Sequence, residues 1–201
     1  MIKDLIVNLG LGAHDPAGEY AVSLAEKFGA HVLGLAFAYE PVIPGAVMGG
    51  IPPEFIESQR TEADSKAKAA VARFEELARR AGISYEHRIL SASLSAAADQ
   101  IGRLARRFDL VVLGQPEREE TMPEEVVDEG ALFESGRPVI FVPFIHKGGL
   151  KLDRVMMCWD GSRAATRAVA DSLPLMKQAK QIEVVIIATG RAKSDEMPGA
   201  D

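Results

Sequence analysis

Short charge-free runs alternate along the chain with stretches whose apolar positions recur every three or four residues. Leu5-Ile6-Val7 is the first run and reads as a strand. A glycine-bearing turn, Gly10-Leu11-Gly12, follows it. Asp15-Pro16 then opens a helix, because aspartate suits the N-cap and proline the first helical position. Ala17, Ala21, Leu24, Ala25 and Phe28 keep helical spacing, and Gly29 ends it. Val32 to Phe37 is a second strand, free of charge as befits a sheet covered on both faces. A helix over Glu54–Ala81 has an apolar stripe of Ile56, Ala63, Ala67, Ala70, Phe74, Leu77 and Ala81, and Gly82 stops it. Tyr85–Leu90 reads as a strand, and Ser93–Phe108 as a helix facing inward with Leu94, Ala97, Ile101, Leu104 and Ala105. A strand over Leu110–Leu113, a helix around Glu124–Glu134 and a strand over Val139–Val142 complete five βα alternations. That order predicts an α/β fold: a doubly wound five-stranded parallel sheet, flavodoxin-like or Rossmann-like, with right-handed crossovers.

The pattern then restarts. Lys3-Asp4-Leu5-Ile6-Val7 is echoed about 149 residues later by Leu152-Asp153-Arg154-Val155-Met156. A helix over Ala164–Ala179 and a strand over Ile182–Ala188 follow. The expected organisation is a complete domain over 1–146, a partial second copy (βαβ) over 147–190, and a disordered polar tail over 191–201. A lone βαβ unit buries too little surface to be stable, and its strand edges need pairing. The second copy is therefore expected to pack on the first domain or on another chain. A homodimer or higher homo-oligomer follows.

Composition narrows the classes. Apolar residues make up 47% of the 201 and charged residues 26%, enough for a core. The formal net charge of -6 and the lack of a basic stripe argue against nucleic acid. No run nears the ~18 apolar residues of a membrane span, and the N-terminus reads as a strand rather than a signal peptide. A single cysteine, Cys158, excludes an intrachain disulfide and fits a reducing, cytoplasmic setting. Its place in a strand predicts a buried, inert thiol.

Cys158-Trp159-Asp160-Gly161-Ser162, closing a strand and opening a helix, resembles the first-strand signature of universal stress proteins. Asp109-Leu110-Val111-Val112-Leu113-Gly114 and Gly136-Arg137-Pro138-Val139 resemble that family's fourth-strand and fifth-strand elements. The resemblance covers essentially the whole chain, as a tandem member with a truncated second domain. It implies a stress-response protein, and in nucleotide-binding members it implies ATP at the carboxyl ends of the strands. There an aspartate after the first strand reaches the adenosine end. A Gly-x-x-Gly loop after the fourth strand, completed nine residues later by Gly-Ser or Gly-Thr, offers backbone N–H groups to phosphates. On that basis the ligand-facing candidates are Gly10, Gly12, Gly114, Gln115, Gly130 and Asp160.

The chain departs from both elements. Gly10 stands in the aspartate's place. Gly114 matches the first glycine of the loop, but Glu117 and Val127 take the next two, with Gly130-Ala131 as a shifted remnant. Gln115–Gly130 carries seven acidic residues against one basic, Arg118. Two unit charges about 4 Å apart repel by about 1 kcal/mol even in water, so a triphosphate is disfavoured. The second copy keeps Asp160, Gly161 and Ser162 but not the loop. No cofactor is expected in the first domain. The resulting expectation is a non-catalytic regulatory or binding protein with a degenerate phosphate loop. An ATP-binding or adenine-nucleotide-binding switch, or a weak ATPase, is the alternative, and fold analogy alone suggests a hydrolase.

Other chemistry-bearing residues have plain readings. Glu124/Asp128 and Glu125/Glu129 are i, i+4 pairs suited to a divalent cation or, with better support, to a solvated acidic helix start. His14 sits in the first turn, while His31, His87 and His146 lack metal-ligand spacing. One of Ser91, Ser93 and Ser95 is expected to cap a helix. The proline- and glycine-rich loop Val42–Pro53 is long enough to serve as a lid or a subunit contact.

Overall fold

The computed structural model describes residues 1–41, 52–115 and 123–186. Most of the Val42–Pro53 loop, the start of the acidic stretch and the tail lie outside the described residues. The chain divides into two compact units, one of Ile2–Leu150 and one from Lys151 onward.

In the first unit the elements run β1 (Asp4–Asn8), α1 (Pro16–Phe28), β2 (His31–Tyr39), α2 (Pro53–Ala81), β3 (Ser84–Ala92), α3 (Leu94–Ala105), β4 (Leu110–Gly114), α4 (Pro123–Glu134) and β5 (Val139–Val142). The sheet is parallel throughout, in the order β3-β2-β1-β4-β5. The doubly wound sheet expected from the strand-helix alternation is thus present. The strands run up to two residues beyond the apolar runs, because ladder pairing carries His31↔Ser84 and Tyr39↔Ala92 at the ends of β2 and β3.

The core lies on both faces of the central strands. Ile6, Leu33, Leu35 and Phe37 pack with Ala97, Ile101 and Ala105 of α3 and with Val127 and Ala131 of α4. On the opposite face α2 approaches β2 so closely that a Cβ on Gly34 would lie 2.6 Å from two ring carbons of Phe74. The buried residues of α2 are Ala67, Ala70, Val71, Phe74 and Ala78. Ile56, Ala63 and Leu77, expected on the buried stripe, are only partly covered. Burial starts at Ala67, and residues 53–66 of α2 contain no buried position.

Helix ends follow their local chemistry. Asp15 caps α1, Ser93 caps α3 through Ala96 N–H, and Gly29 and Gly82 close α1 and α2 at φ of 64° and 66°. After β5 the chain runs back along α1. The Phe144 and His146 rings stand edge-on to His14 and Tyr20, and Leu150 N–H donates to Ser23 Oγ at 2.9 Å.

The second unit comprises β6 (Arg154–Trp159), α5 (Arg163–Met176) and β7 (Gln181–Ile186), with β6 and β7 paired in parallel. Its register repeats the first: Asp4 pairs His31 and Arg154 pairs Gln181, so the strands are offset by 150 residues. Between 151 and 186 no residue is fully buried. Cys158 is exposed, which corrects the expectation of a buried thiol. Strand position alone does not bury a side chain. The matching face of β1 is covered by α3 and α4, and the described part of the second unit has no counterpart to either helix.

Candidate functional site

The sheet order reverses between β1 and β4, and the carboxyl ends of the strands at such a point are where open α/β sheets place a ligand crevice. Four of the expected residues lie along this edge. Gly10 and Gly12 belong to the β1–α1 loop, Gly114 ends β4, and Gln115 N–H donates to Val142 O at 2.8 Å. Gly114 lies beside the start of α1, where a Cβ on it would be 3.6 Å from Ala17 Cβ.

The β1–α1 loop is held from three sides. Arg73, reaching from α2, donates through one guanidinium nitrogen to Gly10 O at 3.0 Å and Gly12 O at 2.6 Å. His14 Nε2 lies 3.0 Å from Phe144 O. Asp15 accepts the Gly18 N–H at 3.1 Å. Burial pushes the Asp15 carboxyl above its ordinary value, while the N–H groups of Gly18 and Gly10 and the Arg73 charge act the other way. Helix N-terminal donors suit an anion. Here the Asp15 carboxyl, supplied by the chain itself, takes the Gly18 N–H. Arg73 Nε is enclosed with no hydrogen-bond partner.

The second βαβ unit offers a comparison. With strands superposed in register, Asp160 corresponds to Gly10. In the second unit Asp160 accepts Ser162 N–H at 2.8 Å, Ser162 caps α5 through Ala165 N–H at 3.1 Å, and the turn is short. The Ser162 hydroxyl and N–H hold the Asp160 carboxyl below its ordinary value. In the first unit the loop is longer and its acid sits at Asp15. A Cβ on Gly10 would lie 3.4 Å from Asp15 Oδ1, so the acid absent at position 10 returns beside it in space, turned toward the helix.

Gly130 is placed elsewhere. It lies inside α4 against α3, where a Cβ would fall 2.8 Å from the carbonyl carbon of Ala98. Helix packing explains this glycine, and it does not line the crevice. Asp160 belongs to the second unit. Of the acidic stretch, Glu117, Arg118, Glu119 and Glu120 lie outside the described residues. Glu125 and Glu129 are exposed. Asp128 is buried, so the α4 start is not uniformly solvated as expected. The reason is that the neighbouring Val127 turns this face toward α3.

The remaining histidines make local contacts. His31 Nδ1 meets Ser84 Oγ at 2.8 Å at the strand starts, the edge opposite the crevice, and His87 pairs with Glu75 at 3.0 Å. Among the described residues no three His, Cys, Asp or Glu side chains are grouped to hold a metal ion, and no helix is long and apolar enough to cross a membrane. An open groove of about 890 Å³ lies along the first half of α2, lined by Glu54, Glu57, Thr61 and Glu62 among others. None of the crevice residues lines it, so its size is not evidence for the site.

Sequence reasoning missed Arg73. On a helical wheel it sits beside Phe74 as one more charge of α2, and nothing local signals that it crosses to the β1–α1 loop. The available signal was the extra length of that loop relative to its repeat.

No protein-family profile matches the chain, and no curated protein matches it in sequence. Solved structures do. Universal stress protein UspA from Lactobacillus plantarum is 14% identical, with a TM-score of 0.51 over 70% of this chain and 97% of that one. A universal stress protein family member from Burkholderia pseudomallei is 21% identical, with a TM-score of 0.48 over 71% and 96%. The universal stress protein from Archaeoglobus fulgidus in complex with dAMP is 18% identical, with a TM-score of 0.45 over 70% and 98%. The Lactobacillus plantarum match, with its TM-score above 0.5, shows the fold alone, which is that of universal stress proteins.

Proposed function

We propose that the chain is a universal stress protein-like binding protein of the stress response. In this reading it is cytoplasmic, homodimeric and non-catalytic, and its first unit takes no phosphate at the β1/β4 crevice. The observation that carries the reading is Asp15. Its carboxylate already accepts the N–H that the start of α1 would offer to a ligand anion. The acid-rich sequence after β4 points the same way, because like charges repel an incoming triphosphate. The lack of any buried residue among the described residues of the second unit, 151–186, supports self-association.

One observation favours an adenine-nucleotide switch or weak ATPase instead. Gly114 keeps a glycine at the end of β4, where among the described residues a Cβ would meet only Ala17 Cβ, at 3.6 Å. Calorimetric titration of the full chain with Mg-ATP separates the two, together with an adenine absorbance measurement on the supernatant of denatured protein. The proposal expects no heat above dilution and no released adenine. Stoichiometric binding, or co-purified adenine nucleotide, would refute it in favour of the switch.

A further inference from the structure

We propose that residues 145–150 are a pH-operated strap. They lie on α1 while His146 is neutral and come off it when His146 takes up a second proton, with Phe144 as the hinge.

The segment is built to dock. Past β5, a turn closed by His146 N–H on Pro143 O at 2.8 Å sends the chain toward α1. The His146 ring then stands edge-on to Tyr20, with centroids 5.5 Å apart. Gly148 turns the chain at a φ of 87°, a conformation that side chains disfavour. At Gly149 the backbone passes so close to α1 that a Cβ would lie 2.2 Å from Ser23 Oγ. Leu150 N–H donates to the same hydroxyl at 2.9 Å. Two successive glycines are thus used to lay this segment against one helix.

His146 is the member out of keeping. Its Nε2 is enclosed and has no hydrogen-bond partner. A neutral imidazole tolerates this, because with its proton on Nδ1 it leaves only a lone pair unmatched at Nε2. An imidazolium carries N–H at both nitrogens, so docking it would enclose a charged donor with no acceptor. Nothing around the ring offsets that charge. Tyr20 is the titratable group that touches it, and burial holds the phenol above its ordinary value and therefore neutral. Glu19, Glu26 and Lys27 on α1 make no ion pair with His146, and β5 has no titratable side chain. The next residue of the strap, Lys147, is itself a cation. A phenylalanine would make the same edge contact without the orphan nitrogen. What histidine adds is a response to pH near neutrality.

His14 sets the hinge. Its Nε2 lies 3.0 Å from Phe144 O, a group that only accepts, so this nitrogen carries a proton in both charge states. A second proton, on Nδ1, leaves that bond in place and strengthens it. Acid therefore keeps Phe144 on the β1–α1 loop and frees the segment beyond it. The released strap binds a proton that the docked strap excludes, so docking weakens as pH falls through the ordinary histidine range, about 6.5. Release adds up to about 20 Å of extended chain ahead of Lys151, where the second compact unit begins.

The test uses the full chain. Hydrogen exchange followed by NMR gives the protection of the Leu150 amide, with β2 amides as the internal reference, while the His146 ring protons report its titration. Between about pH 7.5 and about pH 5.5, one proton should lower Leu150 protection relative to β2 roughly five- to tenfold. The midpoint of that loss should coincide with the His146 titration. His146→Phe should keep Leu150 protected at both ends of the range, and His14→Gln should still lose the protection. The two wild-type midpoints decide the matter if His146→Phe fails to fold. Protection that stays constant, falls together with β2, follows a different midpoint or still falls in His146→Phe overturns the proposal.

Discussion

Asp15 and Gly18 are fitted to one another: the Asp15 carboxylate caps the Gly18 N–H and fills the space a side chain at 18 would need. A Cβ on Gly18 would lie 2.7 Å from Asp15 Oδ2. Gly18→Ala is expected to displace the carboxylate and destabilise the protein by about 1–3 kcal/mol, the usual range for overpacking a filled site. Thermal unfolding measures this. An unchanged midpoint would show that the cap is dispensable.

Asp15 also makes stability depend on pH, with a sign set by burial. Its native carboxyl is raised above 3.8. Between that reference and the raised value the native state keeps a proton the unfolded chain has released. Stability from this group is therefore present at low pH and falls as pH rises through the window. Asp15→Asn cannot titrate and keeps a capping oxygen. Urea denaturation of both proteins from about pH 3.5 to about pH 7 should show the stability difference moving in the variant's favour as pH rises. A difference that does not move over this range contradicts the assignment.

Arg73 clamps the crevice loop through the carbonyls of Gly10 and Gly12. Arg73→Met keeps the stem and removes both bonds. Hydrogen bonds to charged groups contribute about 1.5–3 kcal/mol, and the partly solvated site favours the lower end. Hydrogen exchange should quicken for amides of the β1–α1 loop and leave those of β2 unchanged. Equal protection in variant and wild type would mean that the loop holds itself.

Gly34 and Phe74 form a size-complementary pair across β2 and α2. Gly34→Ala is expected to cost about 1–3 kcal/mol by overpacking. Phe74→Leu should cost a comparable amount by leaving space. In the double variant the smaller side chain makes room for the new methyl, so the combined cost should fall below the sum by about 0.5 kcal/mol or more. Additive costs in a double-mutant cycle would show that the two positions are uncoupled.

Much of the fold was legible in residue order. Charge-free runs, Asp15-Pro16, Gly29 and Gly82 mark strands and helix ends through local backbone chemistry, which needs no distant partner. The crevice was legible only as a location, at the ends of β1 and β4. Its occupants were not, because Arg73 lies 63 residues from Gly10 and their bond exists only once α2 has folded across the loop. The place of Gly130 in α4, against Ala98 of α3, was hidden for the same kind of reason. A glycine that admits a neighbouring helix and one that cradles a ligand are identical in sequence.

The sequence alone determined the doubly wound sheet, the second βαβ unit and the acidity after β4, since periodicity, element order and charge are properties of the chain in order. Tertiary structure decided where the charges act and which groups are enclosed. It turned Asp15 inward to cap a helix beside Gly10, set Arg73 over the loop, and laid His146 against Tyr20. Each of these depends on packing between residues far apart in the chain, and burial is decided by what arrives from elsewhere in the fold.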